Sequence, residues 1–180
     1  MKMEHHKQDT DTQVFFYEQE FYVLSNFSAF QINWSGKEYP TSEHLYQAMK
    51  FVDLEATSDY RVRSLVTACE LIRNARSAHQ AFKLAEDMRH LVRADWKEVR
   101  VGVMKEILHA KANQHEYVRR KLLETGDREL VEDSWRDGFW GWGKDGSGEN
   151  MLGKLWMEIR EDLRNSILQS KQEDVWAVTE

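Results

Sequence analysis

Glu43, Gln47 and Lys50 are the residues whose types and spacing point most directly to chemistry. They lie in the stretch Pro40-Thr41-Ser42-Glu43-His44-Leu45-Tyr46-Gln47-Ala48-Met49-Lys50-Phe51, which opens with the single proline of the chain and two good helix-capping residues. At 100° per residue, Leu45, Ala48, Met49 and Val52 gather on one side of the resulting helix, and Glu43, Gln47 and Lys50 on the other. A carboxylate and an amine two turns apart, with an amide between them, can grip a polar substrate from a rigid support. Taken by spacing alone, the pattern reads first as a solvated helix face that carries charges.

A second concentration of chemistry lies between Trp135 and Gly153. Six of the nine glycines fall there, interleaved at the start with Trp135, Phe139, Trp140 and Trp142. Glycine supplies no apolar area, so this is poor core material. It suits a site better: glycines let backbone N–H groups approach an anion, indoles offer a flat platform for a base, and a following helix, capped by Asn150, would turn its positive end toward a phosphate. Asp137 is the acid nearest this loop, with Glu132 and Asp133 before it. Were the loop to fold over the helix of Glu43 and Lys50, two carboxylates and an amine would face an aromatic pocket. That set suits cleavage of an N-glycosidic bond. One carboxylate can stabilise an oxocarbenium-like sugar or activate water while a second group protonates the leaving base. Alternatively, a lysine of lowered pKa can attack the anomeric carbon and form a transient Schiff base. The residues leave both routes open.

The elements that must position these groups are mostly helical. Val14 to Tyr17 and Phe30 to Trp34 have strand character, and Ser35-Gly36-Lys37 can turn the second into a short return strand ending near Tyr39. Two or three short helices follow from Asp59 to about His90. Trp96, Val99, Val103, Ile107 and Ala110 recur at helical spacing and mark the longest, central helix, which contains Gly102. A helix from Glu116 to Glu124 stops at Gly126, Leu130 and Val131 read as a short strand, and a last helix runs from about Met151 to Leu163 with Leu152, Leu155, Trp156, Ile159 and Leu163 inward. The predicted fold class is mainly α (α+β): a compact helical domain over 14–165 with a small antiparallel sheet. Residues 1–13 and 166–180 read as tails, the first disordered, although Val175, Trp176 and Val178 offer apolar groups for docking.

Composition narrows the functional classes. A net charge of −6 argues against a general binder of duplex DNA, which needs a basic surface. The one cysteine, Cys69, has no internal disulfide partner, which suits a reducing, cytoplasmic compartment, and it reads as a small core side chain. No apolar run approaches the roughly 20 residues that span a bilayer. His5 and His6 have no further ligands beside them, His44 lacks the second histidine of His-Glu-x-x-His, and no Walker or Rossmann spacing is present, so neither a metal nor a cofactor is expected. His44 reads as a hydrogen-bonded structural residue, and Arg119-Arg120-Lys121 as a solvated face.

Taken together, the motifs resemble the YbiA-like N-glycosidases of the NADAR superfamily from roughly Val14 to Leu163. The resemblance is carried by Leu24-Ser25-Asn26-Phe27, by Pro40 to His44 with Tyr46-Gln47-Ala48 and Lys50-Phe51, and by Asp95-Trp96. Thr125-Gly126, Leu130-Val131-Glu132, Asp137, Phe139-Trp140-Gly141, Gly143, Gly148, Asn150, Leu152-Gly153 and Arg160 continue it. It implies hydrolysis of an N-ribosidic bond. The expected substrate is a phosphoribosylated pyrimidine intermediate of riboflavin biosynthesis, cleaved to ribose 5-phosphate and a reactive base. The alternatives are removal of ADP-ribose from guanine in DNA, or a non-catalytic module that binds NAD or ADP-ribose. By position, the resemblance implies Glu43, Lys50 and Asp137 as catalytic residues. It implies Asn26, Gln47, Trp96, Trp140, Gly141, Gly143, Asn150 and Gly153 as substrate-binding residues. The chain departs from the family in having Ala75-Arg76 in place of a Gly-Arg pair, in about ten extra residues within 77–95, and in Trp142 between two loop glycines.

Overall fold

In the computed structural model, residues 8–17, 20–53 and 58–177 are described, apart from the side chains of 171 and 173–177. The expectations for His5, His6, Val175, Trp176 and Val178 fall outside that description. The chain packs as two compact units, one formed by residues 25–116 and the other by residues 1–24 with 117–180.

Among its described residues the 25–116 unit holds a hairpin, four α-helices and a short 3-10 helix (Arg89–Leu91). Strands β1 (Gln13–Phe16) and β4 (Glu129–Glu132) belong to the other unit, while β2 (Ile32–Trp34) and β3 (Lys37–Tyr39) pair antiparallel here, with Ile32 opposite Tyr39 and Trp34 opposite Lys37. Ser35 and Gly36 both have positive φ, 50° and 75°, the geometry that lets a two-residue turn follow the right-handed twist of its strands. Helix α1 (Ser42–Met49) packs against α2 (Asp59–Arg73), α3 (Ala78–Asp87) and α4 (Trp96–Gln114). Leu45 and Ala48 are buried on α1, Leu65, Ala68 and Ile72 on α2, and Ala81 and Ala85 on α3, where small side chains let the helices approach. The buried face of α4 is Met104, Ile107, Leu108, Lys111 and Ala112, so the expected stripe through Val99, Val103 and Ala110 is rotated toward a face that includes a lysine. Gly102 on this helix is exposed, and a Cβ there would meet nothing within 4 Å. It is tolerated rather than required.

In the other unit, β1 and β4 pair in parallel, Val14 opposite Leu130 and Phe15 opposite Val131. All four of these side chains are buried, in keeping with a parallel ladder covered on both faces. The expected small antiparallel sheet is therefore accompanied by a parallel pair, in a domain that is mainly helical. Helix α5 (Glu116–Glu124) ends where Gly126, at φ 60°, turns the chain. Helix α6 (Met151–Ala177) packs on β4 and is the longest described element, running well beyond the Leu163 at which the sequence pattern fades. Leu152, Leu155, Trp156 and Ile159 are buried; Trp156 is fully so, and its indole N–H donates to Leu24 O at 2.8 Å. The buried Arg160 guanidinium donates to Thr125 Oγ1 at 2.7 Å and to Arg128 O at 2.9 Å, tying α6 to the turn after α5.

Candidate active site

Helix α1 is held at both ends. Thr41 has the extended backbone of an N-cap, and its Oγ1 accepts from His44 N at 3.3 Å, a bond worth about 1 kcal/mol to the helix. His44 Nε2 donates to Ala75 O at 3.1 Å, which leaves Nδ1 to accept from the Thr41 hydroxyl at 2.8 Å. Burial pushes the His44 pKa down, although the bond to Ala75 works the other way, so the imidazole is a neutral brace. At the other end Arg93 N donates to Lys50 O at 2.9 Å, fixing the turn after α1 to the segment that leads into α4.

On this braced helix Glu43 and Gln47 are not solvated, and Lys50 is half-buried. Glu43 is only 6% exposed and Gln47 only 2%. The Gln47 amide donates to Glu43 Oε1 at 2.6 Å, which orients its own Oε1 elsewhere; that oxygen is buried and has no hydrogen-bond partner. Asn26, 8% exposed, accepts the backbone N–H of Glu43 at 3.0 Å on its carbonyl oxygen. Its side-chain nitrogen faces the Met104 sulfur at 3.5 Å, and its Oδ1 is another buried, unpartnered acceptor. The Ser42 hydroxyl, fully buried, also lacks a partner. Three such atoms, two on α1 and one on the segment that pairs with its start, mark a place whose polar capacity exceeds what the fold uses.

Lys50 follows the last turn of α1. Its ammonium lies 5.8 Å from the Tyr46 ring centroid, and Tyr46 in turn meets Trp96, the first residue of α4, with centroids 5.1 Å apart. Burial lowers the amine's pKa from its ordinary value; Glu43 and Glu86 oppose that shift and Arg100 reinforces it. Desolvation is thus the main cause, the environment in which a lysine becomes a nucleophile. Glu86 and Arg100 were not singled out by the sequence, and Tyr46 only as part of a motif. Arg100 falls four residues after Trp96, a helical spacing that carried the signal without giving it a reason.

The glycine–tryptophan loop is built differently. Asp137 Oδ1 accepts from Phe139 N at 2.9 Å and Trp140 N at 2.8 Å, closing a tight turn. The half-buried Trp140 meets Phe139 edge-on at 4.9 Å, and Trp142 meets Phe15 edge-on at 5.6 Å. The amides of Glu149, Asn150, Met151 and Leu152 donate to the carbonyls of Gly138, Gly141, Phe139 and Trp140. Those are the groups expected to hold a phosphate at the start of α6, and the loop already occupies them. Asn150, at φ 49°, bridges to β4 instead of capping in the usual way: its Oδ1 accepts from Glu132 N at 3.0 Å and its Nδ2 donates to Leu130 O at 2.8 Å. Gly153 lies so close to this bridge that a Cβ would come within 2.0 Å of Leu130 O, and one on Gly141 would come within 3.0 Å of Asp137 O and Glu132 O. Gly143 sits at φ 76°. At Gly141, Gly143, Gly148 and Gly153 the missing Cβ lets backbone approach backbone.

Asn26, Glu43, Gln47, Lys50 and Trp96 therefore belong to the 25–116 unit, and Asp137, Trp140, Gly141, Gly143, Asn150 and Gly153 to the other. Among the described residues no group of three or more His, Cys, Asp or Glu side chains is placed to hold a metal ion, and no helix is long and apolar enough to cross a membrane. Cys69 is half-buried with Sγ 3.5 Å from Ala48 O, and burial pushes its thiol pKa up, away from the thiolate.

The sequence and the mainly helical fold both match a known family. Residues 15–164 match the NADAR domain, and the chain belongs to that family. It is 38% identical over 162 residues to the N-glycosidase YbiA of Escherichia coli, covering 90% of this chain and 94% of that one. It is 39% identical over 153 residues to a riboflavin biosynthesis protein of Vibrio vulnificus, of whose length the match spans 38%. The solution NMR structure of E. coli YbiA has the same fold, with a TM-score of 0.74 at 36% identity over 91% of both chains.

Proposed function

We propose that the protein is an N-glycosidase that cleaves phosphoribosylated pyrimidine intermediates of riboflavin biosynthesis, with Lys50 as nucleophile and Glu43 as the proton-transferring carboxylate. The observation that carries this reading is the desolvated Lys50 amine following the same helix as the buried Glu43–Gln47 pair. Lys50 Nζ attacks the anomeric carbon, the C–N bond to the base breaks, and Glu43 delivers the proton that the leaving base or the opening ring oxygen requires. Water then adds to the resulting Schiff base, and its hydrolysis returns the free amine and releases ribose 5-phosphate. Asn26 and Gln47 hold Glu43 in place, and Trp96 with Tyr46 provides an aromatic wall. Asp137, whose Oδ1 is engaged by two backbone amides, fixes the backbone at Trp140.

Two measurements test this. Purified protein is incubated with ribosylaminopyrimidine phosphates, NAD, ADP-ribose and guanine-ADP-ribosylated DNA, and products are identified by mass; release of base from the pyrimidine ribosides is expected. Release only from the DNA would replace the substrate assignment, and tight binding with no product would make the protein a binding module. Borohydride added during turnover should leave a reduced sugar adduct on Lys50. An active enzyme that never gives this adduct would shift the mechanism to direct attack by water.

A further inference from the structure

Lys111 is a fully buried lysine that neither the charge pattern nor the α1 chemistry accounts for. It lies on the inward face of α4, where the sequence pattern places apolar side chains. Its ammonium donates to Ser25 O at 2.9 Å and to Ser28 Oγ at 2.7 Å, and lies 5.5 Å from the Phe30 ring centroid. The Ser28 hydroxyl itself donates to Ser25 O at 2.8 Å. The backbone of the same segment closes a turn, with Ser28 N donating to Ser25 O at 3.3 Å. Three donors thus converge on the Ser25 carbonyl, and the Lys111 ammonium is the charged one among them. Between Ser25 and Ser28 lies Asn26, whose carbonyl takes the N–H of Glu43 and whose side chain reaches Met104, seven residues before Lys111 on the same helix.

Burying an ammonium is costly, and a residue of similar length without charge would fill the same space. What such a residue lacks is the means to gather Ser25 O and Ser28 Oγ. We propose that Lys111 is a positioning residue: it draws the Ser25–Ser28 turn onto α4 and through Asn26 O fixes the start of α1, and with it Glu43. The catalytic consequence rests on the role given to Glu43 above. The positional consequence does not.

Hydrogen exchange at the Glu43 amide reads the position directly, because that N–H is one of the first in α1 and its partner is Asn26 rather than its own helix. In Lys111→Met, Glu43 amide protection should fall about tenfold or more relative to the most protected amides of α4, and kcat should fall about tenfold with KM changed less than about threefold. Ser28→Ala, which removes one acceptor and leaves the lysine, should show the same pattern at smaller size, and it decides the matter if Lys111→Met does not fold. Unchanged Glu43 exchange in a folded Lys111→Met, or in Ser28→Ala if that is the only folded variant, overturns the proposal. Loss of protection with full turnover would uphold the positioning and instead remove Glu43 from the reaction.

Discussion

The start of α1 and the glycine–tryptophan loop both concentrate polar groups, and they dispose of them in opposite ways. Around α1, side-chain oxygens of Asn26, Ser42 and Gln47 are buried without partners, and an amine is held partly out of water. In the loop, four successive amides ahead of and within α6 pair with the loop's own carbonyls, and the carboxylate of Asp137 closes a turn. The first region carries unmet hydrogen-bonding capacity, which destabilises a fold and suits a ligand. In the second the backbone pairs with itself, and Gly141, Gly143, Gly148 and Gly153 stand where a Cβ would meet backbone. Substitutions should therefore separate: those near α1 alter turnover more than stability, and those in the loop the reverse.

The largest effect is expected at Lys50. Lys50→Ala should lower turnover by about 1,000-fold and Glu43→Gln by about 100-fold, in steady-state assays on proteins whose melting temperatures stay within about 5 °C of the parent. Folded variants with full turnover would erase the contrast. Next comes Gly153→Ala, whose new methyl group has nowhere to go against Leu130 O. It should cost about 3 kcal/mol in urea unfolding. Asp137→Ala, which strands two amides, should cost about 2 kcal/mol, with the change in stability exceeding that in base release.

A pH series sharpens the same comparison. The folded Lys50 amine has a pKa below its ordinary 10.5, so between the two values the unfolded chain binds the more protons. Stability should then rise with pH across that window, and the penalty should be fully present below the folded pKa. The acid limb of kcat should likewise sit below the ordinary lysine range, and Lys50→Met should remove the Lys50 part of the stability slope. The smallest effect is expected at Gly102→Ala, away from both regions, which should stabilise the protein by about 1 kcal/mol in thermal or urea unfolding.

Much of this architecture is written locally. Pro40-Thr41-Ser42 starts a helix, Ser35-Gly36 makes a hairpin turn, Gly126 stops α5, and the spacing of Leu152, Leu155, Trp156 and Ile159 announces the inward face of α6, because caps, turns and periodicity are short-range. The ordered motifs from Asn26 to Arg160 sufficed for the family. What the sequence left undecided depends on partners far away in the chain. The parallel pairing of β1 with β4 joins segments more than a hundred residues apart. The burial of Glu43 and Gln47, which takes an apparently solvated face out of water, depends on α2, α3 and α4 closing around α1. The inward turn of Lys111 depends on acceptors 83 and 86 residues before it. The sequence by itself determined which helices form and which family the chain resembles. Only the tertiary structure decided which polar groups lose water, and dehydration is what gives a lysine or a carboxylate its chemistry.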